Sequence, residues 1–107
     1  MLHDPAQLDL MFQALAVPAR RQMVDRLSRG PASVSQLAKP LAMSLSAVVQ
    51  HPNLLEASGL VRTQKIGRVR TCQIERKALR AAEHWINERR LSWERRLDRR
   101  GDFLAES

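Results

Sequence analysis

Ser44-Leu45-Ser46-Ala47-Val48-Val49-Gln50-His51-Pro52-Asn53-Leu54-Leu55-Glu56 has the spacing of one helix with two unlike faces. Ser44 is a good N-cap, because its hydroxyl can accept from a free amide of the first turn. Ser46, Val49, Gln50 and Asn53 are spaced 3, 1 and 3 apart and share one side. The opposite side carries Val48, position 52 and Leu55, with Leu54 beside them. The first face is small, mostly polar and uncharged, which suits close approach to the edges of base pairs. Amides can pair with adenine, and hydroxyls can bond to several bases. Gln50 and Asn53 are therefore the expected base readers, while Ser44 and Ser46, near the helix start, suit phosphate. An ordinary amphipathic surface helix would show the same periodicity, so the flanking sequence has to decide.

Upstream, Ser33 and Gln36 stand three apart as in a capping box. Val34, Leu37 and Ala38 face inward, and Pro40 limits this helix to about two turns. Downstream, residues 60–64 and 69–74 are rich in β-branched side chains and predict two strands of a hairpin. Residues 65–68 form the loop, with Gly67 free to take a positive φ. The hairpin carries Arg62, Lys65, Arg68 and Arg70, and no acid until Glu75. Arg68 at the tip suits a minor groove and its neighbours suit phosphate. A charged edge that resists strand-to-strand aggregation is the competing reading.

The remaining segments are helical. Asp4 before Pro5 starts a helix with Leu8, Met11, Phe12 and Leu15 on one stripe. Pro18 starts a second, with Met23, Val24 and Leu27 buried and Arg20, Arg21 and Arg26 pointing elsewhere. Residues 76–100 form a long last helix, ended by Gly101. Its seam of Leu79, Ala82, Ile86, Trp93 and Leu97 is heptad-like and interrupted at Arg89 or Arg90. The predicted class is mainly α with a small β-hairpin, a winged helix-turn-helix. One domain over residues 1–107 is expected, with a recognition helix about 44–57, a wing about 60–75 and a dimerisation helix about 76–100. Leu8, Phe12, Leu79, Ile86, Trp93 and Leu97 form the expected dimer interface, since this seam exceeds what one small core needs.

Bulk properties agree with that reading. The chain has 107 residues and a net charge of +7, with a pI near 11.2, which favours a polyanionic partner. Cys72 is the single cysteine, so an internal disulfide is excluded. No apolar run reaches the roughly 18 residues of a membrane span, and the N-terminus has no signal-peptide pattern. A cytoplasmic protein without a membrane partner is expected. There is no Gly-rich phosphate loop, nucleophile motif or acid–base pair, so no enzyme activity is expected.

The chain resembles the ArsR/SmtB family of bacterial winged-helix repressors. The resemblance rests on Ala14 to Arg21, Ser33 to Ala38, Ser44 to His51, Leu54 to Val61 and Gly67 to Arg70, and runs in order over about residues 6–97. It implies a homodimer built from the first and last helices, and DNA binding through the helix from Ser44 and the wing. It also implies release of DNA on a signal, whose nature the sequence leaves open. A two-fold dimer of this kind expects a palindromic operator.

Departures from the family pattern also count. Metal-sensing members carry paired cysteines in the helix that here spans Ser33 to Lys39, and this chain has none there. Others place ligands along the last helix, where this chain offers Glu83, His84, Glu88 and Glu94. His84 and Glu88 alone are too few ligands, so neither metal nor cofactor is expected. His51 matches a common histidine position, which leaves phosphate contact and packing as equal readings. Pro52 replaces the usual apolar residue on the buried face. Within a helix it deletes a hydrogen bond to the Val48 carbonyl, at about 3 kcal/mol or more. A helix distorted between Val48 and Asn53 is expected. The alternative function is a protein-interaction domain in which Pro52 has weakened DNA binding.

Overall fold

The computed structural model describes residues 4–106, with side chains described as far as residue 99. Helix α1 spans Pro5–Leu15, and the Asp4 carboxylate accepts from the Ala6 amide at 2.9 Å to cap it. Helix α2 spans Pro18–Leu27. Strand β1 is the short Ala32–Ser33, and α3 follows at Val34–Ala38. The expected capping box is present: Gln36 N donates to Ser33 Oγ, and Ser33 N donates to Gln36 Oε1. A single 3₁₀ turn, Lys39–Leu41, ends on Ala42 in the left-handed region at φ 53°. Helices α4 (Leu45–Val48) and α5 (Gln50–Ala57) come next. Strands β2 (Val61–Ile66) and β3 (Val69–Ile74) form the hairpin, and α6 spans Arg76–Glu106.

The sheet has the order β1-β3-β2 and is antiparallel throughout. Ala32 pairs with Cys72, and Val61 pairs with Ile74 at the base of the hairpin. The two-residue β1 is too short to leave a periodic signal and was not expected. The hairpin is also tighter than expected. Lys65 and Ile66 belong to β2, and Ile66 pairs with Val69 across a turn of only Gly67 and Arg68. Gly67 takes φ +62° there, where a side chain would be strained. The core gathers Met11, Met23, Val48, Leu55, Leu60 and Cys72, all fully buried.

Three expectations need correction. Leu54 is 47% exposed and is not part of the core; Leu55 and Pro52 fill the inward face instead. Arg20 does not point away from the protein: it is 9% exposed, and its Nε donates to the Ala14 carbonyl at 2.7 Å. Arg21 Nη1 donates to the Leu15 carbonyl at 2.8 Å. Two guanidinium groups thus satisfy carbonyls left open at the end of α1 and oppose its negative pole. Finally, Gly101 does not end α6, which continues to Glu106. Glycine in a helix costs about 1 kcal/mol but does not block the helix as proline does.

The helix from Ser44 is divided at Val49, as the proline requires. Val49 keeps right-handed helical torsions, φ −62° and ψ −27°, and closes α4 while opening α5. Pro52 is the third residue of α5. A first-turn amide has no carbonyl of its own helix to reach, so the missing N–H breaks no hydrogen bond within α5, and only the Val48 carbonyl of α4 loses a donor. The ring is fully buried and occupies the core position. The distortion expected between Val48 and Asn53 is there, but its cost is below that of an interior helical proline.

Helix α6 has 31 residues, about 46 Å of helix. The radius of gyration is 18.2 Å and the extents are 66 × 30 × 22 Å. A compact chain of this length has a radius near 13 Å, so α6 reaches well past the body.

Candidate nucleic-acid interface

The N-cap Ser44 spends its hydroxyl partly on the fold: Oγ accepts from Ala47 N at 3.2 Å and lies 3.2 Å from Ser46 Oγ. Ser46, Gln50 and Asn53 are exposed, and Val49 between them is half-buried. Gln50 Nε2 donates back to the Ala47 carbonyl at 3.4 Å, which orients the amide along the break between α4 and α5. The predicted polar row is therefore intact across the Val49 turn.

His51 leaves that row. It is 8% exposed, and its Nδ1 lies 3.3 Å from Arg20 Nη1. A guanidinium only donates, so Nδ1 accepts and the imidazole is neutral with its proton on Nε2. Burial lowers the His51 pKa below its ordinary value, and the Arg20 charge lowers it further. Of the two readings left open, the burial of His51 and its contact with Arg20 favour packing. Its orientation follows from its place one residue before Pro52 on the buried side of α5.

The wing carries exposed Lys65 and Arg68 at its tip, flanked by exposed Ile66 and Val69. Arg70 behaves differently from its neighbours. Its Nη1 donates to Asn53 Oδ1 at 2.7 Å, and its Nη2 lies 3.3 Å from Glu56 Oε1. Glu56 Oε2 also accepts from the Thr63 hydroxyl. One carboxylate on α5 thus holds both strands of the wing. Glu56 and Thr63 were not singled out in the sequence. The signal lay in an acid one turn after Asn53 on the polar side, facing a hairpin otherwise all basic. Cys72, opposite Thr63 in the sheet, is fully buried, and burial raises its thiol pKa.

The expected dimer residues lie on α1 and α6. Leu8 and Leu79 are half-buried against the core. Phe12, Ile86, Trp93 and Leu97 are exposed, Trp93 by 55%. Phe12 and Trp85 meet edge to face at 5.6 Å between centroids, and Arg89 lies 4.4 Å over the Trp85 ring. Trp85 is a further member that the seam spacing passed over. His84 Nε2 lies 3.1 Å from Glu88 Oε1 on the exposed surface. Among the described residues no three His, Cys, Asp or Glu side chains gather as a metal site would require.

Comparison with known proteins agrees with this geometry. Residues 17–63 match the family described as bacterial regulatory protein, arsR family. The chain is 40% identical over 73 residues to the HTH-type transcriptional regulator Rv2034 of Mycobacterium tuberculosis, covering 68% of each protein. The chain belongs to the ArsR family. A solved ArsR family transcriptional regulator, RHA00566, is 52% identical, with a TM-score of 0.80 over 88% of this chain and 97% of that one. The fold recurs in Mb0332 from Mycobacterium bovis, described as a homodimeric winged helix-turn-helix DNA-binding domain. Mb0332 is 22% identical, with a TM-score of 0.64 over 87% of this chain and 84% of that one. As an ArsR-family winged helix-turn-helix protein, the chain is a DNA-binding transcriptional regulator. No described helix is long and apolar enough to cross a membrane.

Proposed function

We propose that this ArsR-family member is a cytoplasmic homodimeric repressor. It binds a palindromic operator in double-stranded DNA, leaves it on a signal, and acts by binding without catalysis. The observation that carries this is the contact between Asn53 of α5 and Arg70 of the wing. It joins the exposed polar row to a basic hairpin in one continuous surface.

Gln50 and Asn53 read base edges in the major groove, with Val49 as the close-approach position between them. Ser44 and Ser46 contact phosphate, as does Lys65 on the wing. Arg68 enters the minor groove or binds its phosphates. Arg70 belongs to the interface as the link between α5 and wing, since its charge is already directed at Glu56. Two copies associate through Leu8, Phe12, Leu79, Ile86, Trp93 and Leu97. The support is that one chain leaves Phe12, Ile86, Trp93 and Leu97 of this seam exposed, together with the homodimeric protein of the same fold.

Selecting sites from a random duplex pool, then titrating the selected duplex from low to high salt, tests the proposal. A steep negative dependence of log affinity on log salt, with a two-fold symmetric site, is expected. Failure to enrich any duplex sinks it. The protein-interaction alternative rests on damage by Pro52; against it, Ser46, Gln50 and Asn53 stay exposed on either side of the helix break.

A further inference from the structure

We infer that Arg70 is a specificity-determining residue: it fixes the Asn53 amide with Oδ1 towards the guanidinium and the Nδ2 donors free, and the base it reads is guanine. This rests on the proposed major-groove role of α5. The Arg70 guanidinium has five N–H donors and no acceptor. The atom of Asn53 that meets Arg70 Nη1 at 2.7 Å must therefore be the carbonyl oxygen. The other face of the amide, Nδ2 with its two hydrogens, is turned away from Arg70. No hydrogen bond to a described residue engages it, and Asn53 is exposed. Arg70 itself is held from the far side by Glu56, which is held by Thr63. The amide orientation is thus set by a chain of contacts crossing from β2 to α5 to β3.

The consequence is chemical. An unconstrained asparagine reads adenine with both ends of its amide, accepting from N6 and donating to N7. Arg70 takes one of the two lone pairs of Oδ1 and sets its positive charge beside the other, so the adenine amino group, itself a donor, is disfavoured there. Guanine instead presents N7 and O6, two acceptors side by side, which match the free Nδ2 donors.

The test selects duplexes from a random pool with the full-length protein and three variants, Asn53→Ala, Arg70→Met and Glu56→Gln. Asn53→Ala identifies the base position that Asn53 reads, as the position whose preference flattens by roughly tenfold. The parent is expected to prefer guanine there. Arg70→Met frees the amide and moves the preference towards adenine while the rest of the site is kept. Glu56→Gln keeps α5 packing, loosens Arg70 and shifts the preference in the same direction, so the inference survives even if Arg70→Met does not fold. Adenine at the Asn53 position in the parent overturns it. So does an Asn53→Ala profile identical to the parent's, or a folded Arg70→Met profile with guanine retained. Failure of the parent to enrich any duplex is a different result and counts against the proposed function itself.

Discussion

Arg70 Nη1 and Asn53 Oδ1, 17 residues apart in sequence, are 2.7 Å apart in space. The wing therefore does not hang beside α5 as an independent basic arm. Its strands are fastened to α5 by the same side chains that face outward, and the positions of Lys65 and Arg68 are fixed relative to Gln50. Four predictions follow from this arrangement and from the rest of the fold.

Arg68 and Gln50 should fail in different ways. Arg68→Ala removes a tip charge with no role in the core, so it should weaken binding to all duplexes and reduce the salt slope by about one. Gln50→Ala should leave the slope unchanged and lower discrimination by about 1–3 kcal/mol at one base pair. Titrations on selected and random duplexes, each at several salt concentrations, read both effects. Equal losses for Gln50→Ala on both duplexes would remove it from base reading.

Trp93→Ala should weaken self-association at least about tenfold, because Trp93 is the largest exposed aromatic of the seam and such residues are the usual anchors of an interface. Sedimentation at micromolar concentration reads it. A monomeric parent protein under those conditions would refute the dimer.

Stability should fall as pH drops through the range below 6.5, the unperturbed histidine value. The His51 pKa is lowered in the folded state, so the unfolded chain binds the proton more readily. The stability that His51 contributes is complete above the unfolded value and is lost as pH falls towards the folded one. His51→Gln, which keeps a hydrogen-bonding side chain without the titration, should flatten this slope in urea unfolding between pH 7.5 and 5. An unchanged slope would show that His51 is not the responsible group.

Pro52→Leu should alter thermal stability only slightly. A leucine restores one hydrogen bond to the Val48 carbonyl, worth about 1 kcal/mol. It also adds volume where Pro52 is already fully buried, at a cost of about 1–3 kcal/mol. A melting temperature between the parent's and about 8 °C below it is expected. A rise of more than about 12 °C would instead show the full interior-proline penalty of about 3 kcal/mol, and the first-turn account would be wrong.

Helix order, the capping box at Ser33, the buried role of Val48 and Leu55 and the polar row were all legible in the sequence, because each depends on residues within a few positions of one another. The basic hairpin was legible too, though its turn was drawn two residues too long. What sequence could not supply were pairings across the chain. Arg20 looked like a surface residue because its partners are two carbonyls of the preceding helix and the ring of His51, 31 positions later. Arg70 looked like a phosphate ligand because its charge was visible and its distance to Asn53 and Glu56 was not. Strand β1 was invisible because two residues carry no period. Leu54 was misplaced because the break at Val49 and the burial of Pro52 decide which side of α5 meets the core.

Helix α6 also determines what the molecule shows to light. The chain has two tryptophans and no tyrosine, and both tryptophans, Trp85 and Trp93, sit on α6. Its intrinsic emission and near-ultraviolet dichroism are therefore dominated by that one helix. Trp85, 38% exposed, packs against Phe12 and under Arg89, and Trp93, 55% exposed, is the wetter of the two. Covering the seam would shift Trp93 emission to the blue, whereas a ligand on α5 or the wing would touch neither chromophore. The protein thus carries a native optical probe of its α6 surface, spatially separate from the surface assigned to DNA.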